Sequence, residues 1–385
     1  MSRKIRDIQV LRAIAVIMVI AHHVYINLIP WQSPSLERFS AYFGGNAGVD
    51  LFFVISGFVI ARNFLPKLQS TKQTQFTLFE FWAKRFFRIV PLAWAWLLVI
   101  LLLSIFFNNS GAFGSVRSAV EGSLAAVLQV ANIRFVDCFG HFECGPTTVY
   151  WSLSLEEQFY LILPVLALLA GRKLPAFLLL FVLSQLLIPW LMLPSNFRMT
   201  GIALGVFMAC YTSSSAYRSL EPTLLVEIAW LRRVLIIVLL GCLAGVTGHG
   251  VHIATGNLGY NLVALMSAVL VFIASFDHQY IMRNGRLKDL LVSIGDRSYA
   301  LYLTHMPAFF LTRELFHRYA PDLVGNATAL LAYLGCAGVL TIAFTELSFR
   351  FVEVPLQRRG AQWLELRRQK ELAQPNEIYH AQQTT

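Results

Sequence analysis

Apolar residues in this chain gather into long stretches, not into an alternating or amphipathic pattern. Ten such stretches, at about 8–29, 47–65, 88–107, 150–169, 174–193, 199–212, 233–250, 258–276, 291–316 and 325–349, are separated by more polar segments. At about 1.5 Å of rise per residue, a stretch of about 20 apolar residues crosses a bilayer core as a helix. The pattern therefore predicts an all-α integral membrane protein of about ten transmembrane helices. The sixth stretch is the shortest and holds Gly201 and Gly205. The second polar segment on the outer side, about 108–149, is the longest. It contains a moderately apolar piece, Val116 to Val130, expected to lie at the interface or to re-enter the membrane.

Composition agrees. The 385 residues are 57% hydrophobic and only 14% charged, against about a quarter charged in soluble domains. The net charge of +10 raises nucleic acid as a partner, but the basic residues are dispersed over loops between apolar spans and form no compact module with interleaved aromatics. Their placement instead sets orientation. With ten spans both termini share a side. With that side cytoplasmic, only Arg38, Arg117, Arg134, Arg198, Arg313 and Arg318 of the 31 Lys and Arg fall outside, as the positive-inside rule requires. The first stretch carries no small-residue cleavage site after Ala21 and is expected to be an uncleaved span. A membrane domain over 1–356 and a polar cytoplasmic tail over 357–385 follow. Cys138 and Cys144 are the only cysteines in an outside loop, and an oxidising compartment would pair them. A zinc site with His141 lacks an evident fourth ligand, and no metal is predicted.

Ionisable groups inside apolar spans are costly and persist with partners or a task. The first span holds Arg12 and, eleven residues on, His23. Eleven residues make three turns plus about 20°, so the two share a face roughly 16 Å apart, with His22 turned about 80° away. Arg85 and Arg88, three apart, converge on one helical face at the cytoplasmic surface, where guanidinium forks suit phosphate oxygens. Lys67, Lys72 and Lys84 read as anchoring charge. Ser152, Glu156 and Tyr160 are spaced by four along one face. Glu156 stands near the outer end of its helix, able to orient His23, bind a sugar hydroxyl, or favour its own helix N-terminus. In the ninth span Ser298, Tyr302 and His305 share a face, with Asp296 opposite His305 and expected to cap the helix or serve the site. His305 ranks below His23 as a base. Asp50 reads as an N-cap or an outer-mouth contact, and Glu353 as structural.

Taken in order, Arg12-x10-His23, GVDLFFVISGF (48–58), FWAKRFFRIVPL with Arg85 and Arg88, WSLSLEEQFYLILP (151–164), GDRSYALYLTHMP (295–307) and FVEVP (351–355) resemble the acyltransferase 3 family of membrane O-acyltransferases that decorate bacterial surface glycans. The resemblance covers about residues 5–356. It implies a multi-pass protein of the inner (cytoplasmic) membrane that moves an acyl group, acetyl foremost, from cytoplasmic acyl-CoA to a hydroxyl of an extracytoplasmic glycan: lipopolysaccharide O-antigen, exopolysaccharide or a lipid-linked oligosaccharide foremost, with peptidoglycan and periplasmic glucan open as well. It implies His23 as catalytic, with Glu156 matching the family motif better than Glu157. It associates Arg85 and Arg88 with the acetyl-CoA donor, and marks Asp296, Ser298 and Tyr299 as a motif near that donor, to which Arg12 is added. A neutral imidazole has the pKa to accept the acceptor's hydroxyl proton; a covalent acyl-histidine is the other form this chemistry takes. A hydrolase-like domain that some members carry is expected to be missing here. Buried His, Arg and Glu in ten spans would also fit a proton-coupled secondary transporter or exporter, though no inverted repeat is detected.

Overall fold

The computed structural model describes residues 4–29, 34–70, 73–188, 197–325 and 327–381, and no strand occurs among them. Twelve helices carry the argument. They are α1 (Arg6–His23), α2 (Ala47–Ser70), α3 (Thr74–Phe106), α4 (Tyr150–Ala170), α5 (Leu174–Leu187), α6 (Thr200–Tyr211), α7 (Ala229–Val246), α8 (His249–Ser275), α9 (Arg286–Asp296), α10 (Ser298–Tyr319), α11 (Leu330–Leu347) and α12 (Val354–Ala381). Seven helical stretches among the described residues are long and apolar enough to cross a membrane, and the chain is a multi-pass membrane protein. The difference between the ten apolar spans of the sequence and these seven stretches has physical reasons. The stretch 150–187 holds two helices, α4 and α5, divided by the tight turn Gly171–Lys173, where Gly171 takes φ +50°. The helix α6 has only 12 residues, and α10 carries His305, Arg313, Glu314, His317 and Arg318.

The helix α2 sits at the centre, packed against α1, α3, α6 and α8. Two glycines set its contact with α6. A Cβ at Gly57 would lie 2.2 Å from the carbonyl oxygen of Ile202, and one at Gly205 would lie 2.2 Å from that of Val54. Where lipid removes most of the hydrophobic drive between helices, such close backbone approach supplies the packing. The glycine of the GVDLFFVISGF segment thus has a steric reason to be there.

The ninth span, read from sequence as one helix over 291–316, is two. They meet at Arg297, and α9 is drawn onto α1. A Cβ at Gly295 would be 2.0 Å from the carbonyl oxygen of Gln9. Beside it, Lys288 Nζ donates to Asp7 at 2.7 Å and to the Met282 carbonyl at 3.0 Å. Both ions of that pair are at most 1% exposed, so each removes the cost of burying the other. The Asp296 carboxylate does not cap α10; it accepts from Lys4 at 3.0 Å. The polar tail continues as α12, with Gly360 against Phe87 and Trp363 against Phe79 and Phe87. The 356/357 boundary therefore falls inside a helix whose first turns pack on α3.

Arg198, which its position in the sequence assigns to an outer loop, is buried at 5% exposure. Its Nε lies 3.1 Å from Asp50 Oδ1, and its guanidinium stacks 3.9 Å from the Tyr260 ring centre and 5.1 Å from that of Trp151. This pairing joins residues far apart in the chain, which the sequence pattern of loops does not reveal. In the segment after α3, Ser115 caps the helix Val116–Val127 by accepting from the Ser118 N–H at 3.2 Å. Glu143 accepts from the Ser115 N–H at 2.9 Å and from its hydroxyl at 2.6 Å. The Ser115 hydroxyl holds the Glu143 carboxyl below the usual carboxylate range. Cys138 and Cys144 form a disulfide, with Cα atoms 5.2 Å apart.

Candidate active site

Five helices line one interior cavity. The wall takes Arg12 from α1, Ser56 and its apolar neighbours from α2, Arg85 and Arg88 from α3, Ser152, Glu156 and Tyr160 from α4, and Ser298, Tyr299 and Tyr302 from α10. The helical spacing of three does bring Arg85 and Arg88 to one face. Arg12 reaches the same space and donates from Nε to Ser298 Oγ at 3.2 Å. Three guanidiniums thus face one lining carboxylate, Glu156. In a low-dielectric setting that excess of positive charge suits an anionic ligand with several acceptor oxygens.

Glu156 is fixed in place. Ser56 Oγ and Tyr160 OH both donate to its Oε1, which leaves Oε2 for another partner. The Tyr160 ring lies under the Arg85 guanidinium, 5.7 Å from Cζ to ring centre. Tyr299 donates to the Ile89 carbonyl at 2.6 Å, tying α10 to α3 one residue from Arg88. Ser152 Oγ and Tyr302 OH are 2.7 Å apart, and Tyr302 donates to the Val149 carbonyl at 2.9 Å. Ser56 and Tyr302 are site residues that sequence reasoning did not single out as functional. The spacing of Tyr302 from Ser298 was the available signal, whereas Ser56 had none beyond its motif.

A second cavity shares Arg12, Val59 and Arg88 with the first. Lys4, Arg62, Asp296, Glu353 and Gln357 are among its other lining residues. Asp296 is therefore in this adjoining space and not with Ser298 and Tyr299. Glu353, read as structural, lines the same space, 5% exposed and with an Oε2 that meets no hydrogen-bond donor among the described residues. It stands in a π-helical turn, Ser348–Glu353, and a second such turn, Val24–Leu28, begins directly after His23. Turns of this kind often mark functional positions in long helices.

His23 lines neither cavity. It lies beyond Tyr302, whose ring centre is 5.8 Å from that of His305. His305 in turn places Nε2 3.0 Å from His23 Nδ1. The shared face of Arg12 and His23 holds along α1, but the structure puts a tyrosine and a second histidine between the basic cavity and His23. His22 points elsewhere and packs beside Gly45. Lys72 lies outside the described residues. Among the described residues no group of three or more His, Cys, Asp or Glu converges as a metal site.

The sequence matches the family profile described as "Acyltransferase domain" over residues 5–346. The chain belongs to this family. The match spans every residue named in the first cavity. Relatives include the peptidoglycan O-acetyltransferase OatA of Listeria monocytogenes, 29% identical over 93% of this chain. An O-acetyltransferase OatA of Staphylococcus aureus is 27% identical over 91% of it, and a putative O-acetyltransferase of S. aureus is 27% identical over 95%. The chain covers 57% of the length of the first two relatives and 59% of the third. No solved structure matches it.

Proposed function

We propose that this chain is a membrane O-acyltransferase that moves an acetyl group from cytoplasmic acetyl-CoA to a hydroxyl of an extracytoplasmic glycan. The observation that carries the reading is the convergence of Arg12, Arg85 and Arg88 on one interior cavity in a member of an acyltransferase family. Coenzyme A bears its phosphates at one end and its thioester at the tip of a long arm. Two adjoining cavities rich in arginine fit such a shape. With the N-terminus inside, as the Lys and Arg distribution favours, Lys4 and Arg62 mark the cytoplasmic mouth and the protein resides in the cytoplasmic membrane. The donor's reactive end then lies on the Tyr302 side of the cavity, and His305 links Tyr302 to the base, His23.

In the transfer, the glycan hydroxyl oxygen attacks the thioester carbonyl carbon. The new C–O bond forms as the C–S bond breaks. His23 takes the hydroxyl proton and returns it to the departing thiolate, which leaves as the free thiol. Glu156, held by Ser56 and Tyr160, orients a polar group of the donor or acceptor through its remaining oxygen. The name of the Listeria monocytogenes relative supports trying peptidoglycan as acceptor beside O-antigen and exopolysaccharide.

The test is free-thiol release from acetyl-CoA by purified protein with each glycan. Wild type should release thiol in a glycan-stimulated manner. His23→Ala should lose about 10²–10⁴-fold in rate while remaining folded by size-exclusion profile. Near-normal acetylation by a correctly folded His23→Ala protein would sink the mechanism.

A further inference from the structure

The base reading assigns His305 no task, yet it is a fully buried histidine in direct contact with His23. Its exposure is 0%, and it is surrounded by His23, Tyr302 and Phe309. A buried imidazole has one nitrogen that donates and one that accepts when neutral, and its neighbours decide which. Here the neighbours are unequal. His305 Nδ1 lies 3.2 Å from the carbonyl oxygen of Leu301, one helical turn back. A carbonyl only accepts, so Nδ1 carries the proton. His305 Nε2 is then a bare acceptor, and it sits 3.0 Å from His23 Nδ1. That pairing places the His23 proton on Nδ1 and leaves Nε2 of His23 as the basic lone pair.

We infer that His305 is a positioning residue: it reads its own tautomer from the Leu301 carbonyl and imposes the complementary tautomer and ring orientation on His23. The logic is that of the buried acid that holds the general-base histidine in serine hydrolases, with a neutral acceptor in place of the carboxylate. A neutral acceptor fits a membrane interior, where an unpaired carboxylate at this depth would be costly. This inference rests on His23 being the base.

Three substitutions separate acceptor from filler. In His305→Gln the amide oxygen can occupy the place of Nε2 and accept from His23. His305→Asn keeps a polar group near the place of Nδ1 but does not reach His23, and His305→Leu fills space alone. With folding checked by size-exclusion profile, His305→Gln should retain kcat within about tenfold. His305→Asn and His305→Leu should lose on the order of 10² in kcat, the scale of a lost orienting partner, with the KM for acetyl-CoA unchanged. A folded His305→Gln protein as impaired as His305→Leu would overturn the inference, because packing would then be the whole role. So would wild-type kcat in His305→Asn and His305→Leu while His23→Ala is inactive; the base reading would survive that result. Full activity of His23→Ala would instead remove the base reading itself, and this inference with it. Should none of the three substituted proteins fold, nitrogen-15 spectra of histidine-labelled wild type in nanodiscs decide: a protonated Nδ1 on both His23 and His305 supports the inference, and a protonated Nε2 on His23 overturns it.

Discussion

Arg88, like Arg12, faces both cavities, so it is placed to meet a phosphate-bearing arm along its length. Loss of one charged hydrogen bond is worth about 1.5–3 kcal/mol, which corresponds to roughly 10–100-fold in affinity. Arg88→Gln is expected to raise the KM for acetyl-CoA by about that factor with a smaller change in kcat. A steady-state titration of donor checks it, and an unchanged KM would remove Arg88 from donor binding. The same reasoning with the opposite purpose applies to Arg198 and Asp50. Their charges are buried together, 5% and 1% exposed, so removing one strands the other at a cost of about 3–5 kcal/mol. Arg198→Gln should therefore lower the midpoint of thermal unfolding in detergent sharply. A midpoint equal to that of wild type would show that this pair does not anchor the N-terminal end of α2.

Between helices, the tolerances are set by glycine. Gly57 and Gly205 let α2 and α6 meet backbone to backbone, and α2 carries Ser56, which fixes Glu156. Gly205→Leu places a side chain where no space exists. Overpacking of this kind costs about 1–3 kcal/mol or more, and here it would also push α2 toward the cavity. Reduced yield of folded protein, together with lost thiol release, is the expected outcome. A stable and fully active Gly205→Leu protein would mean that the α2–α6 contact is looser than the structure shows. Gly295 plays the matching part between α9 and α1, and the buried Lys288–Asp7 pair locks that contact.

Over the whole molecule, orientation decides which substrate meets which face. Ten crossings with both termini inside is our reading of the charge distribution. Among the described residues, seven helical stretches meet the length and polarity needed to cross, and α5, α6 and α10 are where the count is decided. Single cysteines at Gly111 and at Gln279, in a background with the native cysteines replaced, provide the check. In intact cells an impermeant thiol reagent should label the first and not the second. Labelling of both, or of Gln279 alone, would reverse or break the proposed topology. Gly111 suits this use because nothing stands within 4 Å of a side chain placed there, although at its φ of +70° any Cβ is strained.

Sequence alone determined that the chain is helical and embedded in a membrane, because twenty apolar residues in a row have few other stable uses in water. Helical periodicity also put Arg85 with Arg88, and Ser152 with Glu156 and Tyr160, since residues three and four apart must share a face. What lay outside its reach were the contacts between helices. Tertiary structure alone set His305 against His23, Ser56 against Glu156, and Arg198 against Asp50, because 282, 100 and 148 residues separate those partners in the chain. It also divided the ninth span and drew α9 onto α1, through the space at Gly295 and the burial of Lys288. Periodicity is a property of one helix; which face of that helix meets which neighbour depends on where backbones can approach and which charges can be neutralised together, and both depend on residues far apart in sequence.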